Sequence, residues 1–141
     1  MFNIKVNTDS SIEGLKDSSS KGILAHLMQS ESIESCDISI IFGDKKRIQD
    51  LKFEYFNIDK PTDVIAFRLN NYEEKDVEGE IYICLPVAKE NAEFYNEPYK
   101  KEIARLIIHG GLHLIGYEDD TDDNRSIMRD LEDNNLKELG F

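Results

Sequence analysis

Two histidines four residues apart, His109 and His113, are followed by Gly116 and then by Asp119. Residues four apart on a helix lie about 40° apart around its axis, so both imidazoles project from one face and converge on one point. Gly116 can take the positive φ that ends a helix and turns the chain back. Asp119 stands three residues further on, where a returning side chain meets the same point. Zinc accepts imidazole nitrogen and carboxylate oxygen, and three protein donors leave a position for water. The expected centre is one Zn2+ per chain held by His109, His113 and Asp119, with Glu118, Asp120 and Asp122 as adjacent carboxylates able to take the third place.

The pattern His-x-x-x-His-x-x-Gly-x-x-ligand has the spacing of the extended metzincin-type zinc motif. A metalloprotease carries Glu directly after the first His, as general base on the activated water. Here that residue is Gly110, which disfavours peptide hydrolysis by that route and leaves another hydrolysis. Two His and a carboxylate also hold iron in oxygen chemistry, but an i, i+4 His pair placed first, with no anchor for a co-substrate, argues against it. The third histidine, His26, has no partner at ligand spacing and belongs to an amphipathic helix.

The chain that must position these residues has 141 residues, 40% hydrophobic and 33% charged, a size and balance that suit one globular domain spanning residues 1–141. The N-terminus does not read as a signal peptide, and the apolar stretch from Ile103 to Gly116 is too short to span a bilayer. A soluble, cytoplasmic protein with no membrane partner is expected. Cys36 and Cys84 lie in strand-like runs, where a thiol packs as a small apolar group, and no disulfide is expected. The net charge of −12 argues against nucleic-acid binding by bulk electrostatics, although the acids cluster at 73–80 and 118–123 and leave room for a local basic groove. Lys45-Lys46-Arg47 is the compact basic triplet.

Phe2, Ile4 and Val6 alternate with polar residues, as in a half-buried strand. Ile12 through Met28 has helical apolar spacing, Glu34 to Phe42 returns to strand composition, and Asp44 to Phe56 suits a helix. Thr62 to Phe67 and Glu80 to Leu85 are nearly continuous apolar runs, expected as central strands flanking an acidic turn near Gly79. Helices follow from Pro86 to Tyr95, from about Glu97 to Ile115 and from about Asp122 to Leu139. This order predicts an α+β fold: a single domain with a sheet of about four strands covered by helices.

Three segments in this order resemble the YbeY family of metal-dependent endoribonucleases: Lys60-Pro61-Thr62-Asp63-Val64-Ile65-Ala66-Phe67, Gly79-Glu80-Ile81-Tyr82-Ile83 and His109-Gly110-Gly111-Leu112-His113-Leu114-Ile115-Gly116-Tyr117. The resemblance covers roughly Tyr55 to Leu139. It implies a metzincin-like metal site in a cleft and cleavage of single-stranded RNA. It further implies a role in ribosomal RNA processing, including maturation of the 16S 3′ end, and in ribosome quality control, with ribosomal RNA and a ribosomal subunit as partners rather than DNA. Two residues depart from the family pattern: Asp119 stands where the third ligand is usually His, and Phe56 where an Arg engages phosphate. The added negative charge of Asp119 makes the activated water less acidic. Arg68 is the candidate to replace the charge missing at Phe56, and Glu80 matches the family acid placed to orient a metal-bound histidine. Arg105, four residues before His109, either reaches the site or pairs with an acid such as Glu102. A ribosome-associated binding module with a mainly structural metal is the competing function.

Overall fold

The computed structural model describes residues 1–58 and 62–141, so Lys60 and Pro61 of the family-like segment lie outside the described residues. In chain order the described elements are β1 (Phe2–Asp9), α1 (Asp17–Ser30), β2 (Cys36–Gly43), α2 (Lys45–Phe56), β3 (Val64–Arg68), β4 (Val77–Cys84), α3 (Leu85–Phe94), α4 (Tyr99–Leu114) and α5 (Asp122–Glu138). The strands form one mixed sheet in the order β1-β2-β4-β3, with β3 antiparallel to β4 and the other pairings parallel. The α+β class and the four-stranded sheet agree with the expectation.

One sheet face carries the main core. Ile38, Ile40 and Phe42 of β2 and Ile81 and Ile83 of β4 pack there against Leu24, Leu27 and Met28 of α1 and Ile103, Ile107 and Leu112 of α4. The alternation of strand side chains sends Ile65, Phe67 and Tyr82 to the other face, where Ile48 and Leu51 of α2 cover them. Helix α4 is buried on several sides, with Ile103, Ala104, Ile107, Ile108 and Leu112 fully out of solvent. The two histidines therefore ride on the most firmly packed helix of the domain.

Three expectations need correction. Helix α1 begins at Asp17 rather than near Ile12. Asp44 instead draws Ser10 and Ser11 into local bonds, accepting from the Ser10 hydroxyl at 2.6 Å and the Ser11 amide at 3.1 Å. Such bonds offer the backbone an alternative to helix, and Ile12 and Leu15 pack on the core from this non-helical segment. Second, β3 is an edge strand, apolar because α2 and α4 cover its two faces although among the described residues one side has no neighbouring strand. Third, Gly79 is inside β4 rather than in a turn. A Cβ there would lie 2.7 Å from Leu114 Cδ2 and 2.9 Å from the Phe67 carbonyl, so glycine lets the end of α4 settle on the sheet.

Both cysteines are free and buried, and burial pushes the Cys36 thiol up to about 11. Cys36 pairs with Val77 and Cys84 with Gly43, at opposite ends of adjacent strands. Seven residues of strand separate the ends by about 23 Å, far beyond disulfide reach. Among the described residues, no helix is long and apolar enough to cross a membrane.

Candidate metal centre

Helix α4 stops in the manner Gly116 predicted. The Gly116 amide donates to the His113 carbonyl at 3.1 Å, the Tyr117 amide donates to the Leu112 carbonyl at 3.0 Å, and Gly116 has φ of 110°. This is the paired-bond termination that a left-handed residue allows. Helix α5 begins at once, with Thr121 accepting from the Asn124 amide at 3.0 Å and Asp122 and Asp123 in its first turn. Only residues 117–120 lie between the stop and the cap. The Tyr117 hydroxyl donates to Glu31 at 2.7 Å, and Arg125 donates to the Asp119 carbonyl at 3.1 Å. The turn carrying Asp119 is thereby fastened on both sides.

The three expected side chains come together. His113 Nε2 is 3.1 Å from His109 Nε2, and Asp119 Oδ2 is 3.5 Å from His109 Nε2 and 3.4 Å from His113 Nε2. Donors about 2.0–2.1 Å from a tetrahedral ion stand ~3.3–3.4 Å from one another, so this triangle has the size of one face of a zinc tetrahedron. Two of the neighbouring acids are engaged elsewhere, Asp120 accepting from Asn124 and Asp122 pairing with Arg125, while Glu118 lines the cleft on the His113 side.

The opposite ring nitrogens set the tautomers. His109 Nδ1 donates to Glu132 Oε2 at 2.7 Å, and His113 Nδ1 donates to the Tyr117 carbonyl at 3.0 Å. Both Nε2 atoms are left as lone-pair donors facing each other and a carboxylate, which calls for a positive centre among them. Burial opposes protonation of His109, but the hydrogen bond and charge of Glu132, with Asp119 and Asp63, outweigh it and raise its pKa above the ordinary 6.5.

Glu132 was not singled out from the sequence. It lies 23 residues from His109, beyond any spacing motif. The available signal is its place on the buried stripe of α5 with Met128, Asn135 and Leu136, since an acid on a core stripe needs a partner. Its side chain is 10% exposed and accepts from Arg105 at 3.1 Å; Arg105 also reaches Asp133 at 2.9 Å. Of the two roles weighed for Arg105, the ion pair is the observed one, with Glu132 and Asp133 rather than Glu102. Glu132→Ala removes the acceptor that orients one imidazole. A 10- to 100-fold loss of metal affinity is expected, measured by competition with a chromogenic chelator, with smaller loss in Glu132→Gln.

Two candidates sit elsewhere. Glu80 shares the α2 face of the sheet with Tyr82, whose hydroxyl donates to it at 3.3 Å, while Gly79 and Ile81 face α4. Strand alternation thus puts Glu80 across the sheet from the histidines, and Glu132 has the orienting geometry in its place. Arg68 is used to build a loop. Its Nε donates to Asn70 at 2.5 Å, Nη1 to the Leu114 carbonyl at 2.7 Å, and Nη2 to the carbonyls of Asn71, Glu74 and Asp76 at 3.0–3.2 Å. With its donors aimed at backbone, Arg68 does not replace a phosphate clamp at Phe56. The basic triplet is similarly occupied: Lys45 pairs with Glu90, Lys46 with Asp50 and Arg47 with Asp9. His26 faces Glu138 at 3.4 Å, away from the pair.

Asp119 lies where two clefts meet. One, of about 700 Å³, is shared with His113, Phe56, Tyr72 and Tyr117; the other, of about 580 Å³, is shared with His109, Arg105, Arg125, Arg129 and Glu102. The sequence model described as Endoribonuclease YbeY matches residues 3–140. The chain belongs to the YbeY family. A YbeY endoribonuclease from Desulforamulus reducens is 40% identical over 112 residues, covering 74% of this chain and 73% of the relative. One from Caldanaerobacter subterraneus is 35% identical over 134 residues, covering 86% and 85%. The solution structure of TM1509 from Thermotoga maritima superposes with a TM-score of 0.66 at 27% identity, covering 96% of this chain and 88% of that one. The match to the YbeY model spans the His109-His113-Asp119 group and Glu132 on α5.

In the second cleft, burial pushes the Glu102 carboxyl above the ordinary carboxylate range, with Asp63 and Glu132 adding and Asn91 and Arg105 opposing. A carboxylate whose folded pKa exceeds its unfolded one costs stability while ionised in the fold. That cost is present above the folded pKa and vanishes as pH falls below the unfolded value. Glu102→Gln is therefore expected to raise the melting temperature at pH 8 and leave it nearly unchanged at pH 4, checked by thermal scans across that range.

Proposed function

We propose that this chain is a zinc-dependent endoribonuclease that cleaves single-stranded RNA, with His109, His113 and Asp119 as the metal ligands. The carrying observation is the triangle of three lone-pair donors with edges of 3.1, 3.4 and 3.5 Å, in a chain whose relatives bear the name endoribonuclease. A divalent ion, when bound, supplies a Lewis acid for a phosphate oxygen and acidifies water at pH 7. Glu132 fixes the His109 ring and its tautomer, and the Tyr117 carbonyl does the same for His113. Asp119 brings a charge that imidazole would not. Arg129 lines the cleft on the His109 side, where its guanidinium offsets charge gathering on the phosphate in the transition state. Gly110 occupies the sequence position where a metalloprotease carries its glutamate base, which disfavours peptide hydrolysis by that route.

The same reading places the protein in the cytoplasm at the ribosomal subunit, in ribosomal RNA processing that includes 16S 3′-end maturation, and in ribosome quality control. The test uses labelled single-stranded RNAs and duplexes of the same sequence, with chelator and with zinc restored. Cleavage confined to single strands, lost on chelation and recovered with zinc, is expected. Intact RNA across several substrates with fully metallated protein would overturn it. Saturable ribosome binding by such inactive protein would favour the binding module.

A further inference from the structure

On the His113 side, the cleft is lined by aromatic rings with exposed faces rather than by cations. Phe56, at the end of α2, is 49% exposed. Its ring is backed by Phe67 at 5.9 Å between centroids and 14° between planes, and Tyr55 and Tyr82 brace Phe67 edge-on. Tyr72 is 59% exposed, with the Arg68 guanidinium 5.0 Å from its ring centroid and its hydroxyl 3.5 Å from the His113 carbonyl. The bonds of Arg68 to Asn71, Glu74 and Asp76 hold this loop, so both rings are ordered in advance of any ligand.

Between them runs the open edge of β3. The Cys84 amide donates to the Asp63 carbonyl and the Leu69 amide to the Glu78 carbonyl, both at 2.8 Å. In an antiparallel ladder this phase turns residues 63, 65, 67 and 69 toward β4 and points the N–H and C=O of Val64 and Ala66 outward. Val64 and Ala66 line the same cleft. The charges on its lining are Lys52 against Glu118 and Asp119, with His113 close by. A phosphate finds little there; a flat, uncharged ring with a donor and acceptor on its rim finds a stacking face and a matching backbone edge.

We propose that this cleft is a nucleobase subsite, in which a base next to the scissile phosphate stacks on Phe56 while the Ala66 backbone meets its polar edge and Tyr72 flanks it. The subsite rests on RNA being the substrate, and it gives the strand a polarity: base toward Phe56, phosphate toward Arg129.

The test is fluorescence anisotropy of a 5′-labelled single-stranded RNA hexamer with wild-type protein in chelator, so that nothing is cut. Stacking is worth about 5- to 150-fold in affinity per base. Phe56→Ala and Phe56→Leu should weaken binding by that factor, Phe56→Tyr should retain it, and Tyr72→Ala should weaken it less. A hexamer with one abasic position should bind wild type more weakly at some register and Phe56→Ala no worse than the intact strand. Melting curves of the variants separate misfolding from lost contact, since Phe56→Tyr and Phe56→Leu both keep bulk at a half-exposed site. Equal affinity in Phe56→Ala and wild type would overturn the subsite, as would displacement of the RNA by an apolar hexapeptide at lower concentration than by unlabelled RNA. Ring-dependent binding without cleavage on adding zinc would sink the endoribonuclease reading and leave the subsite standing. Cleavage with KM unchanged in Phe56→Ala would do the reverse.

Discussion

Purified His113→Ala protein is expected to hold no zinc above background and to leave single-stranded RNA intact, where wild type holds one ion per chain. The substitution removes one of three donors and leaves only His109 Nε2 and Asp119 Oδ2, 3.5 Å apart, two protein ligands where a catalytic zinc site uses three. Elemental analysis and an RNA assay on the same samples check it. Asp119→Ala leaves the histidine pair in place and is expected to bind zinc weakly and lose cleavage. Full metal retention in that variant would move the third ligand to Glu118, Asp120 or Asp122. Asp119→His exchanges a charged donor for a neutral one, which lowers the pKa of water activated at the site. The alkaline rise of its pH–rate profile is therefore expected to begin at lower pH than in wild type.

Gly110→Ala should be among the most destabilising substitutions of a single methyl in this chain. The added Cβ would stand 2.6 Å from Ile81 Cγ2, at a contact between α4 and the central strand β4 where both backbones are fixed. Overpacking of this kind costs about 1–3 kcal/mol. Gly111→Ala meets Leu27 Cδ2 at 2.5 Å on the α1 side and adds a similar cost. Chemical denaturation of the two variants measures both, and a midpoint unchanged in each would refute the close contact. Gly110→Glu, which would restore a protease-like base beside the first histidine, is expected to prevent folding rather than confer peptidase activity. The missing base thus follows from helix-to-sheet packing.

Much of the site was legible because its geometry is local. The i, i+4 histidines, the helix stop at Gly116 and the return at Asp119 are all set within eleven residues of backbone with known rise and turn. The alternation of Phe2, Ile4 and Val6 and the apolar stripe of α4 were readable for the same reason. What failed depended on which layer covers which face. Glu80 sits in a family-like segment, but whether an even or odd position of β4 faces α4 is decided by the sheet, and it is Gly79 and Ile81 that do. Arg68 is a strand-end cation in sequence; only the folded loop reveals five acceptors around it. The Thr62–Phe67 run has the composition of a central strand because two helices cover it, and composition cannot report a missing neighbour in the sheet. Glu132 reaches His109 through the docking of α5, a tertiary event with no local signature.

That bond ties the last helix to the candidate metal site. Met128 and Leu136 hold α5 by apolar contact, whereas Glu132 holds it through a histidine whose other nitrogen faces the metal site. An ion that binds more tightly with the helix docked favours the docked state by mass action, up to ~2.7 kcal/mol at a hundredfold excess over its dissociation constant if undocking abolishes binding. If the proposed metal site is filled in the cell, supply of its ion would govern how often residues 122–138 peel away, and a metal-starved chain would expose this helix to proteases first. The ion that serves the chemistry would also mark which copies of the protein are kept.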